Sequence, residues 1–235
     1  MLGRREDGRH EISTLMQAIS MHDLLQLERA AVTGLESNGF NVPMDESNLV
    51  LKALRALEAA AERPLPTRIS LLKRIPPGSG LGGGSSDAAA ALRGLSRLHG
   101  LELEIGPIAA ELGSDVGFFL AGGRARATGR GERLEQLPDQ PGWFAIAWPK
   151  LEISTADVYR RWDVLGGEPP NELLRAAVDL RPELATFGER LGQDWQLTGS
   201  GSAWFKTCAS RASAEKATAA AAGWTAVASS VCRWG

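Results

Sequence analysis

Cysteine and histidine are scarce in this chain of 235 residues, which holds two cysteines and three histidines. Cys208 and Cys232 form no CxxC pair and have no metal-ligand spacing, so we expect no zinc site built from cysteine and histidine. The sequence leaves their pairing with each other open. Few cysteines are typical of proteins in a reducing compartment, and the sequence therefore predicts a cytoplasmic protein.

An excess of positive charge is also missing. The chain has 26 basic and 28 acidic residues, for a net charge of −2 at pH 7. Nucleic-acid-binding proteins carry a basic surface, so no nucleic-acid partner is expected. No hydrophobic run approaches a membrane span, and the acidic residues near the start argue against a targeting peptide. The remaining expectation is a cytosolic enzyme that acts on a small molecule.

Glycine, in contrast, is concentrated in one segment. Five of the ten residues from Pro77 to Ser86 are glycine, after a predicted strand over 67–72 and before a predicted helix that ends at Gly100. Glycine lets backbone N–H groups turn toward an anion, and a helix N-terminus favours negative charge. With Ser85 or Ser86 as the predicted helix cap, the segment predicts a cradle for the phosphates of a nucleotide.

The glycine pattern alone does not select one class of nucleotide site. A Walker A loop needs a lysine after the glycines, and this segment has none. A dinucleotide-binding pattern matches formally at Gly78, Gly80 and Gly83, with Glu102 or Glu104 as the ribose-binding acid. A flexible linker or a tight turn between strand and helix is the simplest structural alternative.

Four segments of the chain resemble the motifs of the GHMP kinases, which are small-molecule kinases named after galactokinase, homoserine kinase, mevalonate kinase and phosphomevalonate kinase. PGSGLGGGSSDAA (77–89) resembles their phosphate loop. GRREDGRHEI (3–12), LGSDVGFFLAGGRARATGRGE (112–132) and LTGSGSAWF (197–205) resemble further motifs in the same order. Within the GHMP kinases they are most similar to the branch that acts on a cytidine diphosphate conjugate of methylerythritol.

This resemblance implies an α+β fold of two domains with ATP in the cleft between them. A ribosomal protein S5 domain 2-like domain would cover residues 1–137, and an α/β-sandwich domain would cover residues 138–235. The reaction implied is transfer of the γ-phosphoryl group of ATP to a hydroxyl of that conjugate, in the non-mevalonate route to isoprenoid precursors. We expect Mg²⁺ to accompany ATP, without assigned protein ligands, in a monomer or homodimer.

The resemblance also implies a catalytic residue and an ATP site. Asp115 would accept or orient the proton of the reacting hydroxyl, from a loop (Gly113–Gly117) outside any helix. Its structural alternative is an aspartate that caps a turn. The ATP-binding residues implied are Asn48, Lys73, Pro77, Gly78, Ser79, Gly80, Leu81, Gly82, Gly83, Gly84, Ser85 and Ser86. The alternatives for Lys73 and Asn48 are an exposed strand lysine and a helix cap.

The substrate-binding residues implied are His10, Thr155, Tyr159, Gly199 and Gly201. His10 would hydrogen-bond the cytosine base and Tyr159 would stack on it, whereas the two glycines would let a backbone turn approach the substrate or the other loop. A surface histidine, a core tyrosine and a simple hairpin are the alternatives. Where the family has a stacking tyrosine this chain has an arginine at position 9, whose guanidinium plane can also stack on a ring.

Family members carry an Ala-Lys-x-Asn-Leu strand before the first motif, and its lysine neighbours the catalytic acid. This chain begins inside that motif, so we expect either weak kinase activity from the 235 residues or a true start further upstream. Three other functions stay open: a GHMP kinase for homoserine or a mevalonate-type alcohol, an ATP-binding protein without turnover, and a dinucleotide-dependent oxidoreductase.

Overall fold

A computed structural model describes residues 3–4 and 10–234 of the chain. In chain order its elements are β1 (Gly3–Arg4), β2 (His10–Gln17), β3 (Leu24–Arg29), β4 (Gly34–Gly39), α1 (Leu49–Ala60), β5 (Thr67–Lys73), α2 (Gly83–His99), α3 (Ile105–Leu112), α4 (Ser114–Ala121), β6 (Arg124–Gly129), β7 (Arg133–Leu137), β8 (Trp143–Trp148), α5 (Thr155–Leu165), α6 (Leu174–Leu180), α7 (Glu183–Leu191), β9 (Gln196–Leu197), β10 (Trp204–Cys208), α8 (Arg211–Ala220) and β11 (Trp224–Ser229).

The chain up to the end of β7, called the first half below, forms two sheets, and the chain from β8 onward is called the second half. One has the strand order β1-β2-β6-β7 with antiparallel pairing, and the other has the order β3-β5-β4. In the second sheet β5 runs antiparallel to β3 and parallel to β4. Alternate residues of β5 are buried, namely Thr67, Ile69, Leu71 and Lys73. Because side chains of a strand alternate between faces, Lys73 lies on the core face at the end of β5.

Helices α1 and α2 pack over this core. The buried face of α1 includes Leu54 and Leu57, and that of α2 includes Ala88, Ala91 and Leu92. The alanines of α2 allow a close approach of the two helices, since they add little volume between the backbones. The result is that α2, and the glycine segment leading into it, starts from a fixed position in the core.

The second half forms one antiparallel sheet with the strand order β11-β8-β10-β9. Helices α5 to α8 contribute to a second core around Val158, Ala177 and Leu184. Mixed helices and strands in separate sheets confirm the predicted α+β class. The predicted boundary between residues 137 and 138 falls in the connection between β7 and β8, and the domain limits stay a prediction.

The end of the described chain returns to the first half. Val231 donates its N–H to the carbonyl of Ala18 at 2.8 Å, and Trp234 donates Nε1–H to the carbonyl of Phe119 at 3.2 Å. The Trp234 ring also occupies the space beside Gly122, where a Cβ would lie 2.3 Å from it. These contacts tie the final residues to α4.

Within residues 3–4 and 10–234, no helix combines the length and the apolar character needed to cross a bilayer. Both cysteines are free, Cys208 buried and Cys232 exposed.

Candidate active site

The glycine loop, defined here as residues 77–84, carries the chain from β5 into α2. Gly78, Gly80 and Gly82 have φ angles of +61°, +76° and +71°. Residues with a Cβ are strained in this left-handed region, so the alternating glycines are required by the path of the backbone.

Helix α2 begins at Gly83, earlier than the sequence predicts. The predicted caps Ser85 and Ser86 are wrong, because Gly82 is the N-cap residue and its left-handed conformation starts the helix directly. Ser86 instead donates its hydroxyl to the carbonyl of Gly83 at 2.8 Å. No described side chain caps α2, which leaves N–H groups of its first turn for an anion.

The glycine loop packs against a turn of the second half, residues 198–203. The Ala203 N–H and the Thr198 hydroxyl both donate to the carbonyl of Ser79, at 2.8 and 3.1 Å. A Cβ on Gly80 would lie 2.6 Å from the carbonyl oxygen of Gly201. The sequence predicts that Gly201 approaches either the substrate or the other loop. The structure shows it in contact with the glycine loop.

A buried charge cluster lies under the glycine loop. The Lys73 ammonium donates to Asp87 Oδ2 at 2.7 Å and also to Asp23 Oδ2. The side chains of Lys73, Asp23 and Asp87 are only 3%, 3% and 7% exposed, so the alternative of an exposed strand lysine is wrong. A Cβ on Gly83 would lie 2.8 Å from Lys73 Nζ. Burial, partly offset by Lys73, raises the pKa of Asp87 to about 7.

Asp115 lies in the first turn of α4, not in the loop that the sequence predicts. The extended Gly113 ends α3 and lets α4 begin at Ser114, where an acidic side chain interacts favourably with the helix dipole. The carboxyl group retains exposed surface although many protein atoms surround it, as at the bottom of an open cleft. That surrounding burial raises the pKa of Asp115.

Helix α4 brings Asp115 toward the glycine loop. The ring of Phe119 lies 2.8 Å from the position that a Cβ of Gly82 would take. Residues four apart share a helix face, so we expect Asp115 to lie on the same side of α4 as Phe119. A cavity of about 490 Å³ lies next to the start of α4, lined by Ala110, Glu111, Gly113, Ser114, Arg130 and Glu132.

An aromatic cluster built from both halves of the chain flanks the same region. His10 stacks on Tyr159 with ring centroids 5.1 Å apart, and it meets the ring of Trp162 edge-on at 5.4 Å. His10 Nε2 also lies 2.6 Å from Asp163 Oδ1. Burial, with a smaller contribution from the charge of Asp115, raises the pKa of Tyr159. The structure thus brings His10, Tyr159 and Asp115 to one cleft; the arginine at position 9 lies outside the described residues.

The remaining predicted residues, Thr155, Gly199 and Gly201, lie in or against the 198–203 turn. The hydroxyls of Thr155 and Ser200 are 2.8 Å apart, joining the start of α5 to the 198–203 turn. Asn171 Nδ2 donates to the carbonyls of Leu197 and Gly199, at 2.9 and 2.8 Å, and so holds that turn.

Asn48 is the N-cap residue of α1, which is the structural alternative named for it from the sequence. Its Oδ1 accepts the N–H of Val50 at 2.9 Å, and its Nδ2 donates to the carbonyl of Pro43 at 2.7 Å. The neighbouring Leu49 side chain lies 3.3 Å from the position of a Gly84 Cβ. Asn48 is therefore placed beside the start of α2 with both polar atoms of its side chain engaged.

The sequence did not single out Asp23, Asp87 or Asp163. Asp87 lies one turn beyond the glycine loop, four residues after Gly83. A helical projection would therefore have placed Asp87 on the same helix face as Gly83. Asp23 and Asp163 have no comparable signal, because their partners are 50 and 153 positions away in the chain.

The sequence profile of the GHMP kinases N terminal domain matches residues 48–123. The chain is 44% identical to a 4-diphosphocytidyl-2-C-methyl-D-erythritol kinase of Moorella thermoacetica over 199 residues, covering 82% of this chain and 68% of that relative. It is 43% identical over 169 residues to the kinase of the same name from Caldanaerobacter subterraneus, covering 71% of this chain and 59% of the relative. The aligned part thus spans about three fifths to two thirds of these relatives.

Solved structures show the same relationship. The crystal structure of a 4-(cytidine 5′-diphospho)-2C-methyl-D-erythritol kinase superposes with a TM-score of 0.82 at 36% identity, covering 99% of this chain and 94% of that one. A homoserine kinase from Cytophaga hutchinsonii superposes with a TM-score of 0.66 at 19% identity, covering 93% and 89%. The second match concerns the fold alone, and together they confirm the predicted two-domain kinase fold class.

Proposed function

This chain belongs to the 4-diphosphocytidyl-2-C-methyl-D-erythritol kinase family of the GHMP kinases, and from that membership we propose that it transfers the γ-phosphoryl group of ATP to a hydroxyl of 4-diphosphocytidyl-2-C-methyl-D-erythritol. The observation that carries the proposal is the meeting of the glycine loop and α4. Through the contact of Phe119 with Gly82, an uncapped helix N-terminus and the carboxyl group of Asp115 face one cleft.

The glycine loop would bind the phosphates of ATP. Its backbone approaches a ligand without side chains in the way, and the first turn of α2 presents N–H groups and the positive end of its dipole. Ser85 and Ser86, in that first turn, add hydroxyl groups at the same place. Asn48, which lies beside the start of α2, would border the nucleotide.

Asp115 would accept the proton of the attacking hydroxyl. A general base works best when its pKa lies near the working pH, and burial raises the pKa of this carboxyl group. Its place in the first turn of α4 is held by the packing of Phe119 under the loop, which fixes the distance between the base and the phosphates.

We propose that Mg²⁺ arrives with the nucleotide. Among the described residues, no group of three or more His, Cys, Asp and Glu side chains is arranged to hold a metal ion. A divalent ion would thus depend chiefly on phosphate oxygens, and when bound it neutralises charge on the transferred group.

The cytidine half of the substrate would bind at His10 and Tyr159. These two rings form an aromatic surface with Trp162, whose buried Nε1–H has no partner among the described residues. An aromatic surface that includes a histidine ring suits a nucleobase, which stacks and hydrogen-bonds at once. Thr155, Gly199 and Gly201, at the rim of the cleft, would border the rest of the substrate.

The other functions considered from the sequence are less favoured. Likeness to homoserine and mevalonate kinases is limited to the fold, at 19% and 18% identity in the structures compared. Family membership speaks against a dinucleotide-dependent oxidoreductase. The reaction consumes ATP and both cysteines are free, so we place the protein in the cytoplasm. For its assembly we keep the expectation of a monomer or homodimer.

The test is ADP release by the 235-residue chain in Mg-ATP, with and without the diphosphocytidyl substrate. We expect release to depend on this substrate. Asp115→Asn should lower turnover by at least about 100-fold, because it removes the proton acceptor, and leave the Kd for Mg-ADP unchanged. Asp194→Asn, which alters an exposed ion pair with Lys206, is the control and should keep wild-type turnover.

Two results would contradict the proposal. Wild-type turnover by a folded Asp115→Asn variant would remove this residue from the mechanism. Tight binding of Mg-ADP by the wild-type chain without substrate-dependent release would keep the nucleotide site but argue against the proposed transfer by these residues.

A further inference from the structure

The proposed reaction does not use the buried charges of Asp23, Lys73 and Asp87. We propose that these three side chains form a positioning cluster, which holds the glycine loop in its nucleotide-binding shape without touching the nucleotide. The inference rests on the proposed binding of phosphates by the loop, but not on the identity of the phosphate acceptor.

The cluster holds both ends of the loop. Asp23 Oδ1 accepts the N–H groups of Arg74 and Ile75, the latter at 2.9 Å, immediately before the loop begins. Asp87 lies in α2, immediately after the loop ends. Because Lys73 Nζ donates to both carboxylates, a single ammonium group joins the entrance of the loop to its exit.

Lys73 occupies the position that a side chain of residue 83 would fill. A Cβ on Gly83 would lie 2.8 Å from Nζ, and the lysine side chain is only 3% exposed. The ammonium group therefore lies beneath the backbone of the first residue of α2, covered from the cleft. A contact with a phosphate in the cleft would require the ammonium group to leave this covered position.

The charge of the cluster also favours a positioning role. With both carboxylates ionised its net charge is −1, which offers no net attraction to phosphate. Burial raises the pKa of Asp87 to about 7, so near neutral pH the net charge lies between −1 and zero. The contribution of the cluster to nucleotide binding must then come from geometry.

Stability alone does not account for such a cluster. A lysine at a helix N-terminus meets an unfavourable dipole, and buried ion pairs are often no more stable than apolar residues of the same size. A fully hydrogen-bonded buried network can instead hold the chain in one arrangement. This cluster lies between the two ends of a ligand loop, where such a role would fix the shape of the loop.

The experiment measures Mg-ADP binding by calorimetry for two variants of one residue. Asp87→Ala removes the acceptor that joins Nζ to α2, leaving only Asp23, and should weaken binding about tenfold. Asp87→Asn keeps an oxygen acceptor without the charge and should stay within about threefold of wild type. The affinity for cytidine diphosphate, at the other end of the cleft, should not change in either variant, nor should Asp194→Ala alter Mg-ADP binding.

Other outcomes overturn the inference. If Lys73 contacted phosphate directly, both Asp87 variants would free the ammonium and bind Mg-ADP as tightly as wild type or more so. If the cluster only stabilised the fold, Asp87→Ala would lower the Tm and leave the Kd, measured well below that Tm, unchanged. Should Asp87→Ala not fold, Asp23→Asn decides by the same two measurements, since it keeps Oδ1 for the backbone and removes the negative partner of Nζ.

Discussion

Asp163 illustrates what a single residue adds to the cleft. Its carboxylate lies 2.6 Å from His10 Nε2, at the edge of the histidine ring, while a face of that ring stacks on Tyr159. In the neutral ring, a carboxylate at Nε2 favours the tautomer with its proton on Nε2, and Nδ1 is then an acceptor. Because cytosine carries an amino group where uracil carries a carbonyl oxygen, an acceptor on His10 would favour cytosine.

We therefore predict that Asp163→Ala lowers the preference for cytidine diphosphate over uridine diphosphate about tenfold in equilibrium binding. The free histidine can present either tautomer, so it loses its selection of the base. Asp179→Ala is the matched control, because Asp179 in α6 pairs at 2.5 Å, but at an exposed site, with Arg161 of α5, the helix that carries Asp163. An unchanged preference in Asp163→Ala, or an equal loss in the control, would contradict the assignment.

At the scale of elements, the glycine loop depends on close contacts between its glycines and the backbone of other segments. Gly80 has a φ of +76°, and a Cβ there would lie 2.6 to 2.8 Å from three oxygen atoms of Thr198 and Gly201. Gly106, in α3, has nothing within 4 Å of the same position. These two glycines therefore separate the effect of the loop from the general effect of adding a methyl group.

We predict that Gly80→Ala destabilises the fold by about 2 kcal/mol, since the left-handed conformation alone costs roughly 1–2 kcal/mol for a residue with a Cβ. It should also weaken Mg-ADP binding at least about tenfold, because the loop must move off the 198–203 turn. Gly106→Ala should change stability by less than about 1 kcal/mol, on the stabilising side. Chemical denaturation and calorimetry measure both, and equal behaviour of the two variants would rule out the role given to the loop contact.

Elements with strong local signals were predictable from the sequence. Strand β5 and helices α1 and α2 follow from alternation and helical periodicity, and the ends of α2 were missed only at its start, where Gly82 replaces a side-chain cap. Asp115 was proposed as catalytic through its motif and was assigned to a loop, because a short helix that begins right after another leaves no separate period to detect. The partners of Lys73 were not predictable, since strand pairing brings Asp23 from 50 positions away.

At the scale of the whole molecule, the proposed nucleotide site lies where the two halves of the chain meet. The glycine loop belongs to the first half, and the 198–203 turn that accepts it belongs to the second. The bond from Val231 to Ala18 joins the halves a second time, far along the chain. Two separate connections of this kind couple the unfolding of one half to the other.

All seven tryptophans lie after residue 142, so tryptophan fluorescence reports mainly on the second half. Through Trp234, it also reports on the contact of the chain end with α4. We predict that Mg-ADP, bound at the loop of the first half, raises the fluorescence-detected Tm as much as the Tm from far-ultraviolet circular dichroism. At a hundredfold excess over Kd the ligand adds about 2.7 kcal/mol, which for a chain of this size is about 5–10 °C. Thr198→Val, which removes a hydroxyl donor to Ser79, should reduce the shift in both signals. A ligand shift confined to circular dichroism would mean that the halves unfold independently, and the contacts between the glycine loop and the second half would then carry little of the binding energy.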